Sequence, residues 1–277
     1  YKVLARKYRP QTFADLIGQE TLVQILTNAI ITNRIANAYL LTGVRGVGKT
    51  TTARLIAMSL NCENKKDDSC EPCGTCDSCK SIRSDHNLDV IEMDAASKTG
   101  VDDVREIIDN VKYKPVNCKF KIFIIDEVHM LSKSAFNALL KTLEEPPEHV
   151  KFIFATTEVK KIPVTILSRC QRFDLKRVDS KDLIQHLKRI SELEKVKVDE
   201  DAISLLVRAG DGSVRDTLSL LDQAIINTDT SVSAETVANM LGLADRGKIY
   251  ELLGHIAKGQ ASESLDLYDN TFGQPYP

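Results

Sequence analysis

Up to about residue 176, apolar positions come in short solid blocks, and the stretches between them repeat apolar residues every three or four positions. The blocks are residues 38–42 (A-Y-L-L-T), 120–127 (F-K-I-F-I-I-D-E) and 151–157 (K-F-I-F-A-T-T), with an alternating run at 88–94 (L-D-V-I-E-M-D). Runs this short and apolar predict strands, and the nearly continuous ones predict parallel strands covered on both faces. Between them, Leu55, Ile56, Met58 and Leu60, then Val101, Val104, Ile107, Ile108 and Val111, then Phe136, Leu139, Leu140 and Leu143 fall at helical spacing. Strand–helix alternation predicts an α/β domain, doubly wound about a central parallel sheet. Farther on, Leu183, Ile184, Leu187 and Ile190, then residues 203–207, 218–226 and 237–241, keep the helical period with no strand between them. The expected division is an α/β domain over 1–176, a small all-helical domain over 177–242, and the incomplete start of a third helical domain over 243–277.

At 277 residues and 43% hydrophobic content the chain can bury a full core, and two or more compact, soluble domains are expected. A net charge of −2 provides no global attraction to nucleic acid, so any such contact must come from a local basic patch. No apolar run is long enough to span a bilayer and no secretory leader opens the chain, so a cytoplasmic protein without a membrane partner is expected. Because it begins at Tyr1 without Met and trails into T-F-G-Q-P-Y-P, it reads as a fragment.

Chemistry enters at residues 43–50, G-V-R-G-V-G-K-T, which match G-x-x-x-x-G-K-[ST] between a predicted strand and a predicted helix. Glycines there let backbone N–H groups turn toward a polyphosphate at a helix N-terminus. Gly43, Val44, Arg45, Gly46, Val47, Gly48, Lys49, Thr50 and the following Thr51 form the expected cradle for ATP or GTP. Lys49 would reach the β- and γ-phosphates and Thr50 would hold Mg²⁺. The run at 120–127 ends in Asp126 and Glu127, two carboxylates at the carboxyl end of a parallel strand, where α/β sheets gather ligands. Asp126 would orient Mg²⁺ or its water shell, and Glu127 would polarise the attacking water. A glycine turn or a helix cap explains either motif alone; the pair favours a nucleotide triphosphatase.

Five of the seven cysteines lie between Cys62 and Cys79, with Cys70, Cys73, Cys76 and Cys79 two residues apart. Thiolates at C-x-x-C spacing share one metal, and four sulfurs around Zn²⁺ is the usual structural site. An iron–sulfur cluster is the rival, against which stand the uniform x-x steps and the upstream Pro72. Spacing by itself leaves the fourth ligand open between Cys62 and Cys70. The module at about 62–79 reads as a stable knob for packing or partner contact.

Taken together, L-A-R-K-Y-R-P-Q-T-F-A-D-L-I-G-Q-E, the phosphate loop, the cysteine insert, D-E-V-H-M-L, L-L-K-T-L-E-E-P-P, T-I-L-S-R-C and G-S-V-R-D make the chain resemble the gamma/tau family of bacterial DNA polymerase III clamp-loader motors. These are AAA+ ATPases, and the resemblance covers essentially the whole chain. It implies an AAA+ P-loop domain followed by a helical lid, with ATP, Mg²⁺ and Zn²⁺ as cofactors. It selects Cys62, Cys73, Cys76 and Cys79 as zinc ligands. Thr157, with Thr156 as the fallback, is implied as the γ-phosphate sensor and Arg215 as the second sensor. Arg169 is implied to complete a neighbouring subunit's site in trans, and Arg9, Pro10, Ile17 and Gly18 to border the adenine and ribose. Lys98, Arg105 and Lys141 are implied to line a DNA channel. The implied partners are other clamp-loader subunits in a hetero-oligomer, expected to be a pentamer, the sliding clamp, primer–template DNA, and the polymerase through a region beyond this chain. Against a motor stand two other readings: a nucleotide-binding scaffold without turnover, and another P-loop enzyme such as a helicase-type AAA+ motor or a small-molecule kinase.

Overall fold

The computed structural model describes every residue except 67–68, 99, 229–230, 243–245 and 273–277. The expected boundary at 243 and the last residues of the chain lie outside the described residues. Five parallel strands form the central sheet: β1 (Ala38–Thr42), β2 (Val90–Asp94), β3 (Lys121–Asp126), β4 (Val150–Thr156) and β5 (Gln171–Asp174), in the order β2-β3-β4-β1-β5. All four pairings are parallel, so the carboxyl ends of the strands all lie at the same end of the sheet.

The solid apolar blocks follow from burial of the sheet on both faces. Ile122 and Ile124 of β3, Tyr39 and Leu41 of β1, and Ile153 and Ala155 of β4 join one core with helices Glu20–Ile31 and Lys49–Asn61. Their alternates, Phe123 and Ile125, Ala38 and Leu40, Phe152 and Phe154, join a second core with helices Val101–Val111 and Lys133–Glu144. Since side chains alternate along a strand, a fully apolar block is what two covered faces require.

Three sequence expectations need correction. β5 was not foreseen, because only Phe173 of its four residues is buried and an edge strand needs little apolar content. β4 ends at Thr156, so Thr157 follows the strand rather than closing it. The expected absence of strands after residue 176 is overturned by two two-residue strands, Lys197–Val198 and Ser231–Val232, which pair in parallel. Two residues are too few for a strand period to show in a sequence.

The start of β2 is set by a buried acid. Asp89 is 1% exposed and accepts the amides of Val116 (2.7 Å), Asn117 (2.8 Å) and Cys118 (2.9 Å), pinning the loop that leads into β3. Burial pushes its carboxyl up, but those amides and the Lys121 charge outweigh burial and hold it below the ordinary value. A depressed acid stabilises the fold above its unfolded value of about 3.9 and loses that contribution as pH falls through the lower folded value. Asp89→Asn should therefore flatten the loss of stability below about pH 4. Asp89→Ala should cost about 3 kcal/mol in urea unfolding at neutral pH, since it removes three hydrogen bonds to a charged acceptor.

The chain divides into two compact units, Tyr1–Leu183 with Gly210–Ser219, and Ile184–Ala209 with Leu220–Pro277. The second unit is built almost wholly of helix, from parts of Ser180–Glu194, Glu200–Gly210 and Val214–Ile226 together with Ala234–Met240, Arg246–Ala257 and Ala261–Phe272. Among the described residues no helix is long and apolar enough to cross a membrane.

Candidate functional site

The phosphate loop leaves β1 at Gly43 and enters helix Lys49–Asn61 through Gly48, whose φ of +102° is available only to glycine at low cost. Gly46 has a second reason to lack a side chain: a Cβ there would fall 2.0 Å from Ser213 Oγ. Lys49 is buried, and its Nζ donates to the carbonyls of Gly43 and Val44, each at 3.0 Å. Burial pushes the Lys49 ammonium down in pKa, with the Glu127 and Asp126 carboxylates opposing. Thr50 Oγ1 donates to Asp126 Oδ2 at 2.5 Å, so two hard oxygen donors from the first turn of the helix and the end of β3 already adjoin. Side-chain oxygens in that arrangement suit Mg²⁺.

Glu127 follows β3 with φ 45° and ψ 44°, a left-handed conformation that costs about 1–3 kcal/mol for a residue with a side chain. Its Oε2 accepts the amide (3.2 Å) and hydroxyl (3.0 Å) of Thr157, which joins the ends of β3 and β4. Thr156 is fully buried and turned elsewhere, with its Oγ1 3.0 Å from His129 Nδ1. His129 escaped the sequence reading. Its nearly buried ring lies 3.3 Å from Glu127 Oε2 through Nδ1 and 3.4 Å from Glu158 Oε1 through Nε2. No spacing rule marks a histidine two positions after an acidic pair, so only its place between the strand ends reveals it.

Around the loop the structure gathers positive charge. Arg9 Nε donates to Thr51 Oγ1 at 3.0 Å, and the Arg215 amide donates to the Gly46 carbonyl at 3.2 Å. Burial pushes the Arg9 guanidinium down, as do the charges of Arg54 and Arg215, while Glu92 and Asp126 oppose. Arg54, also missed from sequence, is anchored to Glu92 at 2.6 Å. Arg54 and Arg215 repel the Arg9 guanidinium, and an anionic ligand bound nearby would relieve that repulsion. Beside Arg9, Pro10 is half-buried, as are Ile17 and Gly18. The latter pair is fastened by the next residue, Gln19, whose Nε2 donates to the Lys176 carbonyl (2.8 Å) and whose Oε1 accepts the Lys176 amide (3.2 Å). Val44 and Arg45 are exposed at the tip of the loop, Val47 is buried beneath it.

Arg169 is not brought to this cluster. Its Nη2 pairs with Glu144 Oε1 at 2.5 Å and its Nη1 donates to the Thr165 carbonyl at 2.7 Å. Lys98, Arg105 and Lys141 are all exposed; Arg105 pairs with Asp102 at 2.8 Å.

The cysteines converge at the far end of the phosphate-loop helix. Cys62 caps that helix, Cys76 caps helix Asp77–Arg83, Cys79 sits in its first turn, and the sulfurs of Cys62, Cys73, Cys76 and Cys79 lie within 4.8 Å of one another. Backbone amides already point at them: Cys73 N to Cys62 Sγ (3.2 Å), Cys76 N to Cys73 Sγ (3.2 Å) and Cys79 N to Cys76 Sγ (3.4 Å). The Thr75 hydroxyl, then the Cys76 and Thr75 amides, pull the Cys73 thiol down to about 6, whereas burial pushes Cys62 and Cys79 up. Cys70, which spacing could not separate from Cys62, lies elsewhere, its sulfur 2.8 Å from Thr27 Oγ1. Four clustered sulfurs with N–H donors suit a soft, tetrahedral ion.

Comparison with known proteins bears on the whole chain. Family models for a DNA polymerase III delta subunit, for the ATPase lid domain of a DNA polymerase III clamp-loader subunit, and for domain III of DNA polymerase III gamma and tau match residues 18–179, 182–230 and 232–274. The DNA polymerase III subunit tau/gamma of Haemophilus influenzae is 52% identical over 94% of this chain, which spans 37% of that protein's length. The gamma subunit of Buchnera aphidicola from Acyrthosiphon pisum is 46% identical over 96% of this chain and 73% of its own. In fold, the chain is similar to the Thermotoga maritima RuvB Holliday junction branch migration motor, with a TM-score of 0.60 at 18% identity over 91% of this chain and 80% of that one. With a parallel five-stranded sheet, a matched ATPase lid and close relatives along its length, this chain belongs to the gamma/tau family of DNA polymerase III clamp-loader subunits, within the AAA+ ATPases.

Proposed function

We propose that this chain is an ATP-hydrolysing motor of the replicative clamp loader, opening the ring-shaped sliding clamp and loading it onto primed DNA. The observation that carries the reading is the convergence of Lys49, Thr50, Asp126, Glu127 and Thr157 at the carboxyl ends of β1, β3 and β4. Lys49 and the loop amides would bind the β- and γ-phosphates, Thr50 and Asp126 would hold Mg²⁺, and Arg215, whose amide donates to the Gly46 carbonyl, would read the γ-phosphate. Mg²⁺ supplies charge neutralisation on the phosphate oxygens. Glu127, held by Thr157, orients the attacking water and accepts its proton. Arg9, Pro10, Ile17 and Gly18 border the base and ribose. Zn²⁺ is held by Cys62, Cys73, Cys76 and Cys79 as a structural ion. Arg169 serves the site of the next subunit. Lys98, Arg105 and Lys141 meet DNA phosphates without reading sequence.

The proposed division is 1–176, 177–242 and 243–277; the first two matched spans, 18–179 and 182–230, support its first boundary, while the third span begins earlier, at residue 232. Other clamp-loader subunits in a pentamer, the clamp, primer–template DNA and, through a longer chain, the polymerase are the proposed partners, in the cytoplasm. A non-hydrolysing scaffold fits less well, because Lys49, Thr50, Asp126, Glu127 and Arg215 are all present. A helicase-type motor or small-molecule kinase leaves the cysteine module without a role. The ATPase rate of the chain should rise strongly only when partner subunits, clamp and primed DNA are all added, as read by phosphate release. A high, DNA-independent rate in the isolated chain would count against clamp loading.

A further inference from the structure

The cysteine module is fastened to the segment that leads to the nucleotide. Glu71, two residues before Cys73, accepts the Phe13 amide on Oε2 (2.8 Å) and the Ala14 amide on Oε1 (2.9 Å), so one carboxylate caps the short 3-10 turn Phe13–Asp15. The neighbouring residue anchors the same loop at two more points. Cys70 Sγ contacts Thr27 on helix Glu20–Ile31, and the Cys70 carbonyl accepts the Ser59 hydroxyl from the phosphate-loop helix. Phe13 is 1% exposed and shares a core with Cys76, Cys79 and Ile82. Phe13 and Ala14 also line a shallow, largely open depression with Leu16, Glu20 and Val23. Two carboxylates hold the turn directionally: Asp15, within it, accepts the Gln11 and Thr12 amides, and Glu71 ties it to the cysteine module.

The turn joins the two segments placed at the purine end of the site. On one side Gln11 Nε2 donates to the Arg9 carbonyl (2.7 Å) and Arg9 reaches Thr51; on the other, Ile17 and Gly18 run into the Gln19 clasp on Lys176. The residues proposed to hold the phosphates lie mainly in the loop between β1 and its helix, which does not pass through the turn.

We infer that Glu71 is a positioning residue for the nucleotide: by tying residues 13 and 14 to the cysteine module, it sets the Arg9–Pro10 and Ile17–Gly18 segments and thereby the affinity for the base and ribose. The module is then a support for purine binding as well as a knob. The inference rests on the nucleotide reading above, and its test separates the two. Glu71→Gln keeps the side chain's size but turns an NH₂ group toward one of the two amides, and Glu71→Ala removes both acceptors. Binding of Mg·ATP and of Mg·tripolyphosphate to the intact chain would be measured by calorimetry, alongside zinc content and thermal unfolding.

In Glu71→Gln, ATP should bind about 5- to 20-fold more weakly while tripolyphosphate changes less than twofold, with one zinc per chain retained and unfolding still cooperative. Extracting the metal from the unaltered chain should produce the same selective loss. ATP affinity within twofold of the unaltered chain, or parallel weakening of both ligands, would overturn the role of Glu71. An unaltered chain that binds neither ligand, or a Lys49→Ala chain that binds both as well, would overturn the nucleotide reading itself.

Discussion

Arg169→Ala should lower ATP hydrolysis by the assembled complex about 10³-fold or more, because an arginine supplied in trans neutralises charge that develops only in the transition state. The proposed trans role is compatible with the contacts Arg169 makes within one chain. Arg169 is tied to Glu144 and the Thr165 carbonyl, and no hydrogen bond or ion pair among the described residues joins it to the phosphate loop. Those tethers fix a side chain that otherwise has many rotamers, so less entropy is lost when a neighbouring site closes on it. ATP affinity should change little, because the contact is made to the transition state rather than to the bound nucleotide. Mixing settles the direction of the contact: Arg169→Ala chains should recover turnover beside Lys49→Ala chains, which have no working phosphate loop but present an intact arginine. Failure of such mixtures to recover any phosphate release would place Arg169 in cis and undo the shared-site reading.

Glu127→Gln should slow single-turnover hydrolysis by about 10²- to 10⁴-fold, the usual contribution of a positioned base, while ATP still binds. The substitution keeps an oxygen for the Thr157 amide and hydroxyl, and it leaves the Lys49 hydrogen bonds and the Thr50–Asp126 pair in place. What it removes is the anionic group that polarises water. The left-handed backbone at Glu127 belongs to the same design, since a strained turn directly after β3 aims the carboxylate along the ends of the strands. Equal loss of binding and turnover would mean that Glu127 supports the fold of the loop and not the chemistry.

Much of this site was legible because its chemistry is written at short range. Gly43 to Thr50 is an unbroken octapeptide, its conformational demands are met by its own glycines, and the strand and helix flanking it announce themselves by apolar period. The same holds for Asp126 and Glu127, which close a run too apolar to be anything but a covered strand. Residues that act through distant neighbours were not legible. His129 has meaning only because β3 and β4 are adjacent, which places Thr156 and Glu158 against its ring. Arg54 likewise depends on β2 presenting Glu92, and β5 on the edge position that spares it an apolar pattern.

By itself the sequence determined the element types, the parallel covered sheet, the phosphate loop with its acidic strand end, and a set of thiols able to hold a metal, since each follows from periods and spacings within about ten residues. Where spacing left the choice open and only the family resemblance favoured one residue, tertiary structure placed Cys62 rather than Cys70 in the four-sulfur cluster and Thr157 rather than Thr156 against Glu127, and it alone revealed that Glu71 binds the turn at Phe13. Each of those choices is between groups of equal intrinsic chemistry. Only chain closure and packing distinguish them, by bringing one within hydrogen-bond or ligand distance and turning the other toward a different partner.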